Sequence, residues 1–286
     1  GARTILGVAV GATLTPALLA ALPQMALSLA FVPFYLALIA VIGVPYFARI
    51  CGFDRVTAYY CAMPGGFQDM VIFGQEAGGD VRALSLVHAT RVLIIVTLAP
   101  IILTGFLGGS LNNPIGAPAS ETPPIEMAVM VVAALIGWKG GERIGLFGAS
   151  ILGPMIVTAA LTLGDIIHFR PPAEAILAAQ FFIGMGIGVH YVGVTLGELR
   201  RDVLAGVGFV IILAAMAALF SQVVVAMGLA NPLNAFLAFA PGGQAEMTVL
   251  AIIAGADLGF VIVHHLTRIV LVITGAPVAA KLFRVA

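Results

Sequence analysis

PGGFQDMVIFGQEAGGDVRALSLVHATRVLIIVTLAP, from Pro64 to Pro100, and PGGQAEMTVLAIIAGADLGFVIVHHLTRIVLVITGAP, from Pro241 to Pro277, are two copies of one text. They align without a gap at an offset of 177, with 13 of 37 positions identical. The shared residues are those a lipid-buried chain should avoid: a Pro-Gly-Gly break, an acid, a His and an Arg. An internal repeat whose matching points are helix breaks and buried charges is the sequence mark of a membrane transporter.

Composition settles the solvent. Hydrophobic residues make up 61% of the chain and charged residues 9%, with a mean hydropathy of +1.14. Soluble domains carry about 25% charged residues. Apolar runs long enough for ~30 Å of hydrocarbon recur along the chain, so it reads as an all-α polytopic membrane protein. The formal net charge is zero, which points away from nucleic acid. The five His and two Cys show no metal-ligand spacing, and Cys51 and Cys61 read as space-filling. No cofactor is expected.

The duplication extends beyond the quoted stretches. Gly7 and Gly11 fall on Gly184 and Gly188 at the same offset, whereas residues 110–177 have no partner in the first half. The expected organisation is a first repeat at 1–109 and a second at 110–286, together forming one integral membrane domain. By the symmetry of the duplication, roughly 70 further residues with two more apolar segments are expected before Gly1.

Apolar runs and breakers predict helices near 4–22, 27–48, 82–104, 125–138, 144–163, 174–195, 203–228 and 258–283. That is about eight transmembrane helices, plus two broken segments at 56–79 and 233–256. Residues 105–124, with two Asn, four Pro and no Lys or Arg, read as a linker. Each broken segment either crosses as an interrupted helix or turns back as a re-entrant hairpin. An arm of about eight residues reaches only ~12 Å, so length does not decide.

Charge favours re-entry, because Lys and Arg concentrate in cytoplasmic loops. With both segments re-entrant, Arg3, Arg49, Arg55, Arg82, Lys139, Arg143, Arg200, Arg201, Lys281 and Arg284 share one side, opposite Arg170. Arg49 and Arg55 correspond to Ala226 and Pro232, while Arg200 and Arg201 correspond to Pro23 and Gln24. Equivalent loops of opposite charge character predict two inverted-topology repeats, each with a Pro-Gly-Gly-broken re-entrant hairpin.

The buried polar groups form the candidate site. Pro64-Gly65-Gly66 and Pro241-Gly242-Gly243 expose backbone groups at membrane depth, tolerable only inside protein or beside a cavity. They build either a substrate site from helix ends or a tight structural turn. Asp69 and Glu246 follow in the first turn of each outgoing arm, as helix caps or as ligands for solute or ion. Asp80 and Asp257, next to Gly78 and Gly255, read first as caps and second as coupling groups.

His88 and Arg91, matched by His265 and Arg268, lie three apart on one helical face. Arg91 is about nine residues into its helix, ~14 Å deep, where an ionised Arg costs ~2.5–3.5 kcal/mol and must find a partner. Two readings stand. The arginines bind anionic solute while His88 and His265 carry a coupled proton, or each Arg neutralises Asp69 or Glu246. His264 has no counterpart (Val87) and is the weaker candidate; His168 and His190 are left without a role. Gly184, Gly186 and Gly188, with Gly7 and Gly11, predict close helix packing.

The duplicated PGG-x-x-[DE]-M, followed by G-x-D and an H-x-x-R helix, resembles the AbrB membrane-protein family, also labelled ammonia monooxygenase or AbrB duplication. The likeness covers the whole chain, and the second copy, PGGQAEM to HHLTR, is the closer match. The soluble DNA-binding regulator of the same name is a small, unrelated β-rich dimer. The resemblance implies a bacterial inner-membrane transporter, longer at its N-terminus, and supplies no catalytic residues.

The leading expectation is a secondary, elevator-like transporter rather than an enzyme, in the inner membrane and multi-pass. A small polar, charged solute would bind between the two breaks, coupled to H+ or Na+, in a homodimer. The rivals are a metal-dependent membrane oxygenase, for which His88, Asp69 and Glu246 are thinly spread ligands, and a channel or sensor component.

Overall fold

Helices begin and end where the chain supplies caps and breakers. The computed structural model describes residues 2–146, 148–189 and 191–282, and among them there are helices and no strands. The chain runs through α1 (Ala2–Gly11), α2 (Pro16–Pro45), a π turn at Tyr46–Ile50, α3 (Arg55–Ala62), α4 (Phe67–Glu76) and α5 (Val81–Gly105). After an irregular stretch come α6 (Pro124–Arg143), α7 (Ala149–Leu163) and α8 (Ala173–Val189). A short α9 (Leu196–Glu198) leads through a second π turn, Leu199–Val203, into α10 (Leu204–Ala226). The chain then forms α11 (Pro232–Phe239), α12 (Gln244–Ala254) and α13 (Leu258–Leu282).

Among the described residues, five helices are long and apolar enough to cross a membrane: Pro16–Ile50, Val81–Gly105, Pro124–Arg143, Leu196–Ala226 and Leu258–Leu282. Ala2–Gly11, Ala149–Leu163 and Ala173–Gly186 are shorter apolar helices. Large apolar side chains such as Phe34 (69%) and Phe181 (64%) stay exposed, as lipid-facing residues do. This is a helical, multi-pass membrane protein.

One boundary departs from the sequence reading. The expected break near Pro23 is absent, and the helices expected at 4–22 and 27–48 become 2–11 and 16–45. Thr15 accepts from Leu18 N at 3.3 Å, and Pro16 takes the first helical position, where it needs no N–H donor. That cap outcompetes Pro23, which the apolar helix absorbs.

The chain divides into two compact units, each drawing on both halves of the duplication. The first comprises Gly1–Gln24, Ser110–Gly186 and Thr248–Gly259. In it α1 and α6 pack on α7, and glycines allow the close approach. Gly137 and Gly153 meet backbone to backbone, and a β-carbon on Gly11 would lie 2.7 Å from Thr158 Cβ. Gly184 and Gly186, by contrast, have nothing within 4 Å of a built β-carbon, and nor does Gly188 in the second unit. The packing expected of both glycine sets therefore holds for Gly7 and Gly11 alone among the described residues.

The expected linker is tied down within the first unit. Ala173 N donates to Ala117 O at 3.0 Å, Ala119 N to Glu174 Oε2 at 3.0 Å, and Asn113 Nδ2 to Ile253 O at 3.2 Å. Glu126 accepts from the backbone N–H groups of His168 and Phe169 and lies 3.1 Å from the His168 ring.

The second unit comprises Met25–Gly109, Ile187–Met247 and Phe260–Ala286. Its aromatic core stacks Phe47 on Phe53 at 5.6 Å and sets Tyr35 against Phe220 and Phe239. Both Pro-Gly-Gly breaks lie in this unit.

Candidate functional site at the two Pro-Gly-Gly breaks

A helix that stops inside a protein leaves its last carbonyls without donors, and here the stop is chemical. Pro64 and Pro241 have no N–H, and Met63 and Ala240 turn the backbone out of the helix at ψ 124° and 132°. α3 thus ends before one break and α4 begins after it; α11 and α12 flank the other in the same way.

The arginines supply the missing donors. Arg91 Nη2 donates to Gly65 O at 2.8 Å, and Nη1 reaches Met63 O at 3.5 Å. Arg268 Nη1 donates to Ala240 O at 2.8 Å and Nη2 to Gly242 O at 2.7 Å. One turn earlier, His88 Nε2 donates to Tyr60 O at 3.0 Å, and His265 Nε2 to Leu237 O at 2.8 Å. A carbonyl can only accept, so both rings carry a proton on Nε2. The three-residue step from His to Arg matches the step between the carbonyls they hold.

These groups are nearly inaccessible: Arg91 is 2% exposed, Arg268 4%, His88 0% and His265 1%. Burying a guanidinium demands compensation. The negative ends of α3 and α11 provide part of it, because the held carbonyls belong to the ends of those helix dipoles. The Nε of both arginines and the Nδ1 of both histidines remain buried without a hydrogen-bond partner, the same four atoms in matched pairs.

The glycines have separate jobs. A β-carbon on Gly65 would sit 2.7 Å from Met70 Cε and 2.9 Å from Val272 Cγ1. On Gly242 it would sit 2.7 Å from Met247 Cε and 3.0 Å from Ile95 Cγ2. Val272 belongs to α13 and Ile95 to α5, so each break touches the arginine helix of the other copy. At Gly66 and Gly243 the added carbon would strike the carboxylates of Asp69 and Glu246. Both acids therefore fold back over the start of the outgoing helix, where its dipole favours them.

The structure thus gathers Pro64, Gly65, Gly66, Asp69 and Arg91 with Pro241, Gly242, Gly243, Glu246 and Arg268. Arg91 lies within electrostatic range of Arg268, Tyr35 and Glu246. His88 and His265 stand one turn from the arginines. Asp80 and Asp257 do not join the cluster, and both are exposed. Asp80 caps α5, accepting from Arg82 N at 2.9 Å and Ala83 N at 3.1 Å, and lies roughly 16 Å along the helix from Arg91. Asp257 immediately precedes α13.

Several contacts were not foreseen. Backbone carbonyls as arginine partners left no trace in residue types. The methionines that close on Gly65 and Gly242 did, since Met70 and Met247 recur in the duplicated motif. Two tyrosines brace the arms: Tyr59 Oη donates to Ala276 O at 2.8 Å, and Tyr35 Oη to Phe239 O at 2.9 Å. His264 is structural, with Nδ1 2.8 Å from Phe260 O and Nε2 3.1 Å from Ser28 Oγ. His190 lies outside the described residues. Among the described residues, no group of three or more His, Cys, Asp or Glu is placed to hold a metal ion.

A family model described as "Transition state regulatory protein AbrB" matches residues 1–284. The chain is 26% identical over 294 residues to "Uncharacterized protein YhjN" of Bacillus subtilis (strain 168), covering 96% of this chain and 76% of that one. It is 24% identical over 232 residues to "Putative regulator AbrB" of Escherichia coli (strain K12), covering 79% of this chain and 65% of that one. No solved structure matches it. Because the family match runs through both breaks and both arginine helices, the chain belongs to the AbrB family.

Proposed function

We propose that the chain is a secondary transporter of the bacterial inner membrane, built as two inverted repeats whose Pro-Gly-Gly breaks are the tips of re-entrant hairpins. One observation carries the reading. The same buried His–Arg pair holds the same two carbonyl positions at both breaks, and each break also touches the other copy's arginine helix. Duplicated breaks with helix ends directed at a shared centre are the way such carriers build a midplane site. A merely structural turn needs neither the duplication nor the mutual contact.

The solute is small, polar and charged. Asp69 and Glu246 offer carboxylates, and the Nε groups of Arg91 and Arg268 offer donors without a partner. Nδ1 of His88 or His265 is the atom that takes up a coupled proton, since Nε2 is already committed to a carbonyl. Sodium at the acids is the other coupling route. Alternating access in an elevator-like homodimer completes the scheme by architectural analogy, with no enzyme chemistry and no nucleic acid.

The test is uptake into proteoliposomes of amino acids and small organic acids, with imposed proton or sodium gradients. Saturable uptake that is lost in Glu246→Gln and Asp69→Asn, with folding intact by thermal unfolding, supports the carrier. Flux linear in solute concentration, or none across the screen, counts against it. Stoichiometric iron or copper in the purified protein would favour an oxygenase instead.

A further inference from the structure

The second unit contains two cavities that are copies of each other. The larger, about 580 Å³, lies between α2 and α13 and ends against α3. The smaller, about 270 Å³, lies between α10 and α5 and ends against α11. Ala40, Tyr59 and Ala276 of the larger answer to Ala217, Phe236 and Ala99 of the smaller at the offset of 177. Apart from one proline of the second break, neither contains the acids, histidines or arginines of the central cluster. Their apolar walls do not suit a small charged solute.

Two differences set the larger cavity apart. Its mouth carries Arg49 and Arg55, where the repeat places Ala226 and Pro232. Both arginines are exposed, and neither joins an ion pair among the described residues. Its wall carries Gly275, with nothing within 4 Å of a built β-carbon, where the smaller cavity has Leu98. The larger copy is therefore both wider and positively charged at one end.

Its length matches one leaflet. From Leu36 to Arg49 the α2 side rises roughly 20 Å at 1.5 Å per residue, about half of the ~40–45 Å thickness of a bilayer with its headgroups. Arg49 stands at the end of a long apolar helix and Arg55 at the start of α3 just beyond it, where headgroups lie. Basic pockets between transmembrane helices hold acidic lipid headgroups, and arginine matches phosphate by its planar fork of donors.

We infer that this groove is a binding site for an acidic phospholipid, its phosphate on Arg49 and Arg55 and an acyl chain along the wall opened by Gly275. The occupant comes from the bilayer, not from solution, because an apolar trough one leaflet long has no use to a free anion. The site stands independently of the solute proposed for the central cluster.

The test uses the full chain, delipidated in a non-ionic detergent, with thermal unfolding followed against dioctanoyl-phosphatidylglycerol, dioctanoyl-phosphatidylcholine and glycerol 3-phosphate. A lipid that binds only the folded form raises its melting temperature by mass action. The phosphatidylglycerol should raise it by several degrees and the other two should not. The rise should vanish in Arg49→Ala with Arg55→Gln, and in Gly275→Leu, which installs the larger side chain of the other copy. It should persist in Arg143→Gln, whose arginine lies in the other unit. Equal response to phosphatidylcholine, full response to glycerol 3-phosphate, or selectivity retained in the double variant would each overturn the assignment. Loss of a dimer in the double variant, without lipid selectivity, would give the groove to a second copy.

Discussion

Arg268 donates to Gly242 O at 2.7 Å, and Arg91 repeats the bond to Gly65 O at 2.8 Å. A buried cation is spent on backbone at each break, so the arginines are first of all what allows the chain to stop being helical there. The pair is not quite equal, because the second bond is 2.8 Å for Arg268 and 3.5 Å for Arg91.

Arg268→Ala should therefore destabilise more than Arg91→Ala. A hydrogen bond from a charged donor is worth about 1.5–3 kcal/mol, and Arg268 makes two good ones. Thermal unfolding in detergent is the measurement, with Arg268→Lys recovering part of the loss. Equal losses would mean that the difference in bond length carries no energy.

Gly242→Ala should cost about 1–3 kcal/mol, the usual range for overpacking. The added carbon meets the flexible end of Met247, so Met247→Val in the same chain should return part of the melting temperature. A lack of rescue would point to Ile95, on the other side, as the obstacle.

Glycines of the first unit should split by sign. Gly153→Ala drives a methyl into the backbone at Gly137 and should cost about 3 kcal/mol or more. Gly184→Ala meets open space and should gain up to ~1 kcal/mol from helix propensity. Melting temperatures of the two variants, which should move in opposite directions, decide.

His168 should tie stability to pH. Hydrogen bonds to Glu126 and then to Asp165 hold its pKa above the usual 6.5. A folded-state pKa above the unfolded one gives stability that is fully present below pH 6.5 and lost as pH rises through the folded value. The melting temperature should fall across that window in the parent chain and less in His168→Gln. Parallel curves would remove His168 from the effect.

The breaks, the paired His and Arg and the caps at Asp80 were legible because each is a residue type forced by a backbone problem. Proline and glycine announce a stop, and a charge at membrane depth announces a partner. The identity of that partner was not legible, since carbonyls belong to every residue, and Met63 and Ala240 share no side-chain chemistry. The lost break at Pro23 shows the converse limit. A proline is a breaker only if no stronger start lies nearby, and Thr15-Pro16 supplies one. The matched glycines at 7 and 184 likewise mislead, because sequence equivalence does not provide an equivalent neighbour.

Tyr59 has a consequence beyond bracing. Its hydroxyl ties the arm α3 to α13 through Ala276, and the matching residue of α11, Phe236, has no oxygen with which to do the same. The arm α11 is instead held from outside, by Tyr35 of α2 through Phe239. The two arms are thus fastened by unlike latches, one carried on the arm itself and one on its neighbour. Tyr59→Phe and Tyr35→Phe each delete a single atom, about 1 kcal/mol of hydrogen bonding, from the fastening of one arm only. Chemistry has therefore left in this chain a way to loosen either arm while the other serves as its built-in control.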